Sequence, residues 1–202
     1  MSGLLPESRE SYGKKVRLSK GVRTHGKGDS LEVDTNDVKC VGMNELYRND
    51  GVKYRVLSAV SGKNLVNIKP TDRKYYYDES IPMDSDNRLT GSDSYVTLEI
   101  SARNENKDDY TFHLPSARLM IRNSNVTLED CEAMLMNPFD AMGHLKLETG
   151  REVRFYIAFV VRDSELRRYR DRLCLLIDGK GQLMGESKHL TEVLLRIGKT
   201  GE

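Results

Sequence analysis

EVRFYIAFVVR, residues 152–162, is the most apolar run in the chain and decides its fold class. One alternating set is Val153, Phe155, Ile157, Phe159 and Val161, and the other is Arg154, Tyr156, Ala158, Val160 and Arg162. Period-two alternation marks a β-strand, here with one face fully buried and the second covered at its middle. Leu173 to Ile177 reads as a second buried strand behind it, with Asp178-Gly179-Lys180-Gly181 as a turn and Gln182 to Met184 as its partner.

Upstream, Lys53 to Val60 and Leu65 to Lys69 read as a hairpin that Pro70 closes. Tyr95 to Ala102 alternates as a half-buried strand, Tyr110 to Leu114 returns antiparallel to it, and Arg118 to Arg122 forms another. A meander in sequence order makes an antiparallel sheet the economical topology. Thr127, three residues before Asp130, opens a predicted helix carrying Leu128, Cys131, Met134 and Leu135, which Asn137-Pro138 ends. Asp163-Ser164 starts a short exposed helix with Leu166, Tyr169 and Leu173 at helical spacing, a charged hairpin loop being the alternative. Leu190, Val193, Leu194 and Ile197 stand at i, i+3, i+4 and i+7 before Gly198, so a final helix is expected to pack on the sheet. The fold class is therefore α+β: β-rich, a mostly antiparallel sheet or sandwich with two to three short helices packed on it. Residues 152–162 form its central strand, facing those helices.

A chain of 202 residues is near the size of one domain with an appended arm. Residues 1–37 read as a flexible arm, basic and then acidic, and residues 38–202 as a single β-rich globular domain. Lys+Arg 32 against Asp+Glu 31 leaves no global field, so attraction to an anion must be local. It is local in the arm: Lys14, Lys15, Arg17, Lys20, Arg23 and Lys27 stand among glycines with no acid between them. Such a segment buries too little to offset its ordering entropy and suits contact with phosphates. It also suits docking on the acidic block that follows, Asp29 to Asp50, or staying solvated. Residues 71–94 form a long polar excursion in which Tyr75, Tyr76 and Tyr77, beside Arg73 and Lys74, are candidates for stacking on bases, for a protein interface or for an ordinary edge strand. Arg167, Arg168 and Arg170 form a second basic feature and a further candidate interface.

No motif carries a reaction. Cys40, Cys131 and Cys174 are odd in number and far apart, which fits free thiols in a reducing compartment. His25, His113, His144 and His189 stand at no metal-ligand spacing. Asp84, Asp86 and Arg88 begin a calcium-loop pattern that fails at Leu89. No catalytic residue, metal or cofactor is assigned, and an enzyme without a recognisable motif remains an alternative. With no leader-like apolar segment and no run of about 18 apolar residues, the chain is expected to be intracellular, cytoplasmic or nuclear, or part of a virion.

The layout of basic arm, acidic connector and β-rich core resembles small viral structural proteins of the matrix or coat type. The resemblance covers the whole chain as a layout, with no family motif. It implies a non-enzymatic assembly protein whose core self-associates and whose arm engages RNA, a nucleocapsid or an anionic membrane. The alternative is an intracellular adaptor or movement-type protein that uses the tyrosine loop.

Overall fold

The computed structural model describes residues 15–20, 31–34, 39–68, 81–113, 117–122, 126–128, 133–137, 144–178 and 190–199. In chain order its elements are β1 (Lys15–Lys20), β2 (Leu31–Asp34), β3 (Lys39–Gly42), β4 (Tyr47–Asn49), β5 (Val52–Gly62), β6 (Asp93–Asn104), β7 (Tyr110–His113) and β8 (Ala117–Ile121). There follow β9 (Val126–Thr127), β10 (Ala133–Asn137), β11 (His144–Leu147), β12 (Glu152–Arg162), the helix α1 (Asp163–Tyr169), β13 (Leu173–Asp178), β14 (Leu190–Leu194) and β15 (Gly198–Lys199).

The strands form a sandwich-like arrangement of mostly antiparallel sheets. A six-stranded sheet runs β10-β12-β6-β5-β15 with β4 also on β5, and a seven-stranded sheet runs β2-β1-β9-β8-β13-β14-β3. A small sheet pairs β11 with β7. The stretch 152–162 is β12, paired with β6 over eleven consecutive residues from Glu152↔Arg103 to Arg162↔Asp93. Phe155, Ile157 and Phe159 are fully buried and share one cluster with Tyr54, Val56, Leu98 and Ile100 of the same sheet and Leu173, Leu175 and Ile177 of the other. Phe112 joins them, its ring 5.3 Å from Phe155 and 6.1 Å from Tyr54.

Several expectations are corrected. The stretch from Thr127 is not a helix: Val126–Thr127 and Ala133–Asn137 are strands, and Ala133 pairs with Phe159 on β12. Short apolar patterns fit either period, and a long-range pairing decides between them. The final helix is likewise strand β14, held between β13 and β3. The buried apolar residues there are Val193, Leu195 and Ile197, a period of two in which Leu195 is the telling residue. Among the described residues the one α-helix is α1, as Asp163-Ser164 predicts, with Leu166 and Tyr169 buried. Val153, Phe155, Ile157, Phe159 and Val161 therefore face a second sheet, not helices.

The meander is corrected as well. Both edges of β6 are taken by β5 and β12, so β7 pairs with β11 instead. Residues 65–68 form no strand, and the hairpin partner of β5 is β4 on its other side. That hairpin turns on Asp50 and Gly51, both at positive φ (45° and 75°), the two-residue arrangement that Asp-Gly favours. Residues 182–184, expected to pair with β13, lie outside the described residues, and the partners of β13 are β8 and β14.

The outward face of the six-stranded sheet is divided in two. At one end Tyr95, Ala158 and Val160 are buried although they point away from the main interface. Residues 81–94 and Ile68 cover them: the Tyr95 hydroxyl donates to the Asn87 carbonyl (3.0 Å), and Leu89 and Ile68 belong to the buried cluster. Lys63 fastens this cover. Its Nζ donates to the carbonyls of Gly91 (3.0 Å) and Asp93 (2.6 Å) and to Asp163 Oδ2 (2.9 Å). Asp163 Oδ1 accepts from Ser94 Oγ at 2.6 Å. Burial pushes the Asp163 carboxyl up, but the Ser94 hydroxyl and the Lys63 ammonium outweigh it, so the group ionises below its ordinary value.

A carboxyl held lower in the folded state contributes stability that is complete above its unfolded value and disappears as pH falls through the folded one. D163N is therefore expected to be less stable than wild type at pH 7, by up to about 1 kcal/mol because solvent screens the pair. The gap should begin to shrink near pH ~3.9, the ordinary aspartate value, and vanish only below the lower folded value. Urea midpoints measured between pH 7 and pH 3 check this, and a gap that stays constant with pH contradicts it.

Candidate binding face

The other end of the outward face is open and charged. Strand pairing fixes its rows. Arg48, Lys53, Arg103 and Glu152 are aligned across β4, β5, β6 and β12, and Arg55, Ser101 and Arg154 form the next row. Ser58, Glu99 and Tyr156 form a third, beyond a register shift between Val56 and Ser58 that keeps Ala59 in the core. Neighbouring strands lie about 4.8 Å apart, so side chains in one row are immediate neighbours.

These rows and Glu105 hold five cations (Arg48, Lys53, Arg55, Arg103, Arg154) and three acids (Glu99, Glu105, Glu152), a surplus of two positive charges. Their pairing is uneven. Glu105 takes both Arg48 and Lys53, and these contacts hold its carboxyl below the ordinary range, with the Lys53 hydrogen bond the largest cause. Glu99 reaches Arg154 at 3.6 Å and also accepts from Ser58 Oγ at 3.4 Å. Glu152 accepts from Ser101 Oγ at 2.5 Å. Arg55 and Arg103 are exposed, on adjacent strands, with no acid partner among the described residues. This open pair is the feature of the face with unspent hydrogen-bonding capacity, five fixed N–H donors on each guanidinium.

The edge of the face is rigidly built. Asn104 is fully buried; it donates to the carbonyls of Asp108 (2.8 Å) and Leu147 (2.9 Å) and accepts from the Asn106 amide (2.9 Å). Asn106 in turn donates to the Asp50 carbonyl (2.8 Å), and the Glu105 amide donates to the Gly51 carbonyl (2.9 Å). The loop carrying Glu105 is thus tied to the β4–β5 turn. A side chain at Gly51 would collide with Asn106.

The residues singled out from sequence fall elsewhere. Lys14, Arg23 and Lys27, and all of Tyr75, Tyr76 and Tyr77, lie outside the described residues. Lys15, Arg17 and Lys20 stand on β1, which pairs with β2 so that Lys15 is opposite Asp34 and Arg17 opposite Glu32. That register brings the basic run against the acidic block. Arg167 and Arg168 are exposed on α1, with Arg168 5.1 Å from the centre of the Tyr169 ring. Arg170 is half-buried and donates to the Ile197 carbonyl, a structural contact. Asp84 is occupied by its own turn, accepting from the amides of Asp86 (2.9 Å) and Arg88 (3.0 Å). Cys174 is a buried thiol, which burial keeps protonated, and Cys40 is exposed; both are free. His113 and His144 stand opposite each other between β7 and β11, a juxtaposition invisible in sequence spacing. No group of three or more metal-ligating side chains occurs among the described residues. No helix among them is long and apolar enough to cross a membrane.

No protein-family model matches the sequence, and no curated protein does. Solved structures do resemble the fold. The YjhA protein of Bacillus subtilis is similar with a TM-score of 0.47 and 10% identity, over 76% of this chain and 98% of that one. A functionally unknown protein from Listeria monocytogenes gives 0.46 and 10%, over 77% and 82%. An uncharacterized beta-sandwich protein of Clostridium difficile gives 0.43 and 10%, over 86% and 98%. These neighbours are bacterial, and the expectation of a viral matrix or coat protein is corrected accordingly. That expectation rested on a layout of arm, connector and β-rich core, which many unrelated β-sandwiches share.

Proposed function

We propose that the chain is a non-catalytic binding module that holds a linear polyanion, bearing phosphate or sulfate groups, on the open end of its six-stranded sheet. The observation that carries this reading is the exposed pair Arg55 and Arg103, neither in an ion pair among the described residues, beside the loosely held Arg154. Guanidinium groups fixed on a ladder suit repeated oxyanions, because planar forks bond two oxygens at once. A linear chain suits the face better than a membrane plane does, since Glu99, Glu105 and Glu152 are interleaved with the cations. A continuous anionic surface would meet those acids, whereas a strand of polymer passes between them.

The titrating groups support binding over catalysis. Each shifted group among the described residues has a structural cause: Lys53 and Arg48 for Glu105, the Asp109–Lys146 pair for both its members, Ser94 and Lys63 for Asp163, and burial for Tyr47, Tyr54 and Cys174. Ion pairing, hydrogen bonding and burial that also hold the fold account for these shifts, with no catalytic role required of them. The free thiols Cys40 and Cys174 support a reducing, intracellular setting.

The test is a titration of the chain with inorganic polyphosphate, and separately with anionic phospholipid vesicles, over a salt series. Three arginine contacts predict that log K for polyphosphate falls with log salt at a slope of about 2, taking ~0.7 per contact for a single strand. No polyphosphate binding at low salt, or stronger binding to vesicles, would overturn the proposal.

A further inference from the structure

Resting on that reading, we infer that Glu105 is a built-in counter-ion that competes with the polyanion for Arg48 and Lys53 and so limits the affinity of the face. The geometry carries it. Glu105 places one carboxylate oxygen on Arg48 and the other on Lys53, occupying the row where an incoming oxyanion would bind. Its position is not that of a freely rotating surface acid. The Glu105 amide is bonded to the Gly51 carbonyl, and Asn106 ties the same loop to Asp50. Both cations remain reachable, since the Arg48 side chain is 62% exposed and that of Lys53 31%.

The wild-type face therefore presents Arg55, Arg103 and Arg154, with two further cations held in reserve. A ligand engages the reserve only by displacing a carboxylate that is already in place, and this disfavours weakly charged anions. Dense polyanions, which supply many groups at high effective concentration, are disfavoured less. Glu105 is a specificity-determining residue on this account, and it makes no contact with the bound polymer.

The test compares E105Q and E105A with D86N, which removes one negative charge from an exposed turn at a distance from the row. Polyphosphate affinity is measured over a salt series for each. E105Q is expected to bind at least about tenfold more tightly than wild type at low salt, since a charge-assisted bond contributes roughly 1.5–3 kcal/mol. Its salt slope should steepen by about 1.4, for two added contacts. D86N should gain affinity less than twofold, with the slope unchanged. E105A, which removes the same carboxylate, should show the same steepening, so poor folding of one variant does not end the test. If wild type binds in an Arg55-dependent way but both Glu105 variants behave as D86N does, Glu105 is not a competitor and the inference is overturned. If wild type does not bind at all, the parent reading fails instead.

Discussion

F155A is expected to lower the unfolding free energy by about 4 kcal/mol. Phe155 is fully buried, aligned with Ile100 of β6 and in ring contact with Phe112 of β7. Through Phe112 it joins the longest strand pair to the small β7–β11 sheet. Removing the ring loses its transfer free energy and leaves a cavity that eleven consecutive paired residues prevent from collapsing. The midpoint of thermal unfolding should drop by roughly 8–16 °C for a chain of this size. The denaturant slope should stay unchanged, because the surface exposed on unfolding is nearly the same. R154A, next to Phe155 but pointing to solvent, should cost less than about 0.5 kcal/mol. Urea unfolding of both variants decides the matter, and a loss below about 1 kcal/mol for F155A would place the core elsewhere.

The strand at 152–162 was legible because its two faces have different chemistry and the period is sustained over eleven residues. Helix α1 was legible for a similar reason, with an Asp-Ser start and buried Leu166 and Tyr169 one turn apart. The helices expected at Thr127 and Leu190 failed where the apolar set fits two periods. Val193, Leu195 and Ile197 alternate, yet Leu190, Val193, Leu194 and Ile197 also make a helical stripe, and only the slot between β13 and β3 decides. Sheet order was the least legible property. Nothing local says that β6 takes β5 and β12 as neighbours and leaves β7 to β11, since pairing is a contest among distant strands.

The face illustrates the same limit. Each of its cations is an unremarkable surface residue in sequence, and no run of basic charge marks it. The rows exist because β4, β5, β6 and β12 are aligned in one register, which assembles Arg55, Arg103 and Arg154 from stretches up to about one hundred residues apart. A sequence signal was present in one place: the Asp50-Gly51 dipeptide, which sets the β4–β5 hairpin and so the alignment of Arg48 with Lys53. The basic run of the first 37 residues drew attention instead, because contiguous charge is visible without a fold.

The second large effect concerns binding. Reversing the two cations without an ion pair among the described residues, R55E with R103E, removes two charge-assisted contacts and adds two repulsive charges beside Arg154. Each lost contact is worth roughly 1.5–3 kcal/mol, so polyphosphate affinity should fall by at least about 100-fold at low salt. Folding should be kept, because both side chains are exposed and leave no buried partner unpaired among the described residues. The matched control is R167E with R168E, which reverses the same number of exposed charges on α1. It changes net charge equally and leaves the sheet face intact. Polyphosphate binding by the two double variants, measured side by side over one salt series, is the most direct test of the account. The account predicts near-complete loss for R55E/R103E, with a slope shallower by about 1.4, and a loss of less than about threefold for R167E/R168E. Equal losses in the two variants would mean that net charge alone governs binding, and would contradict the sheet face as the site.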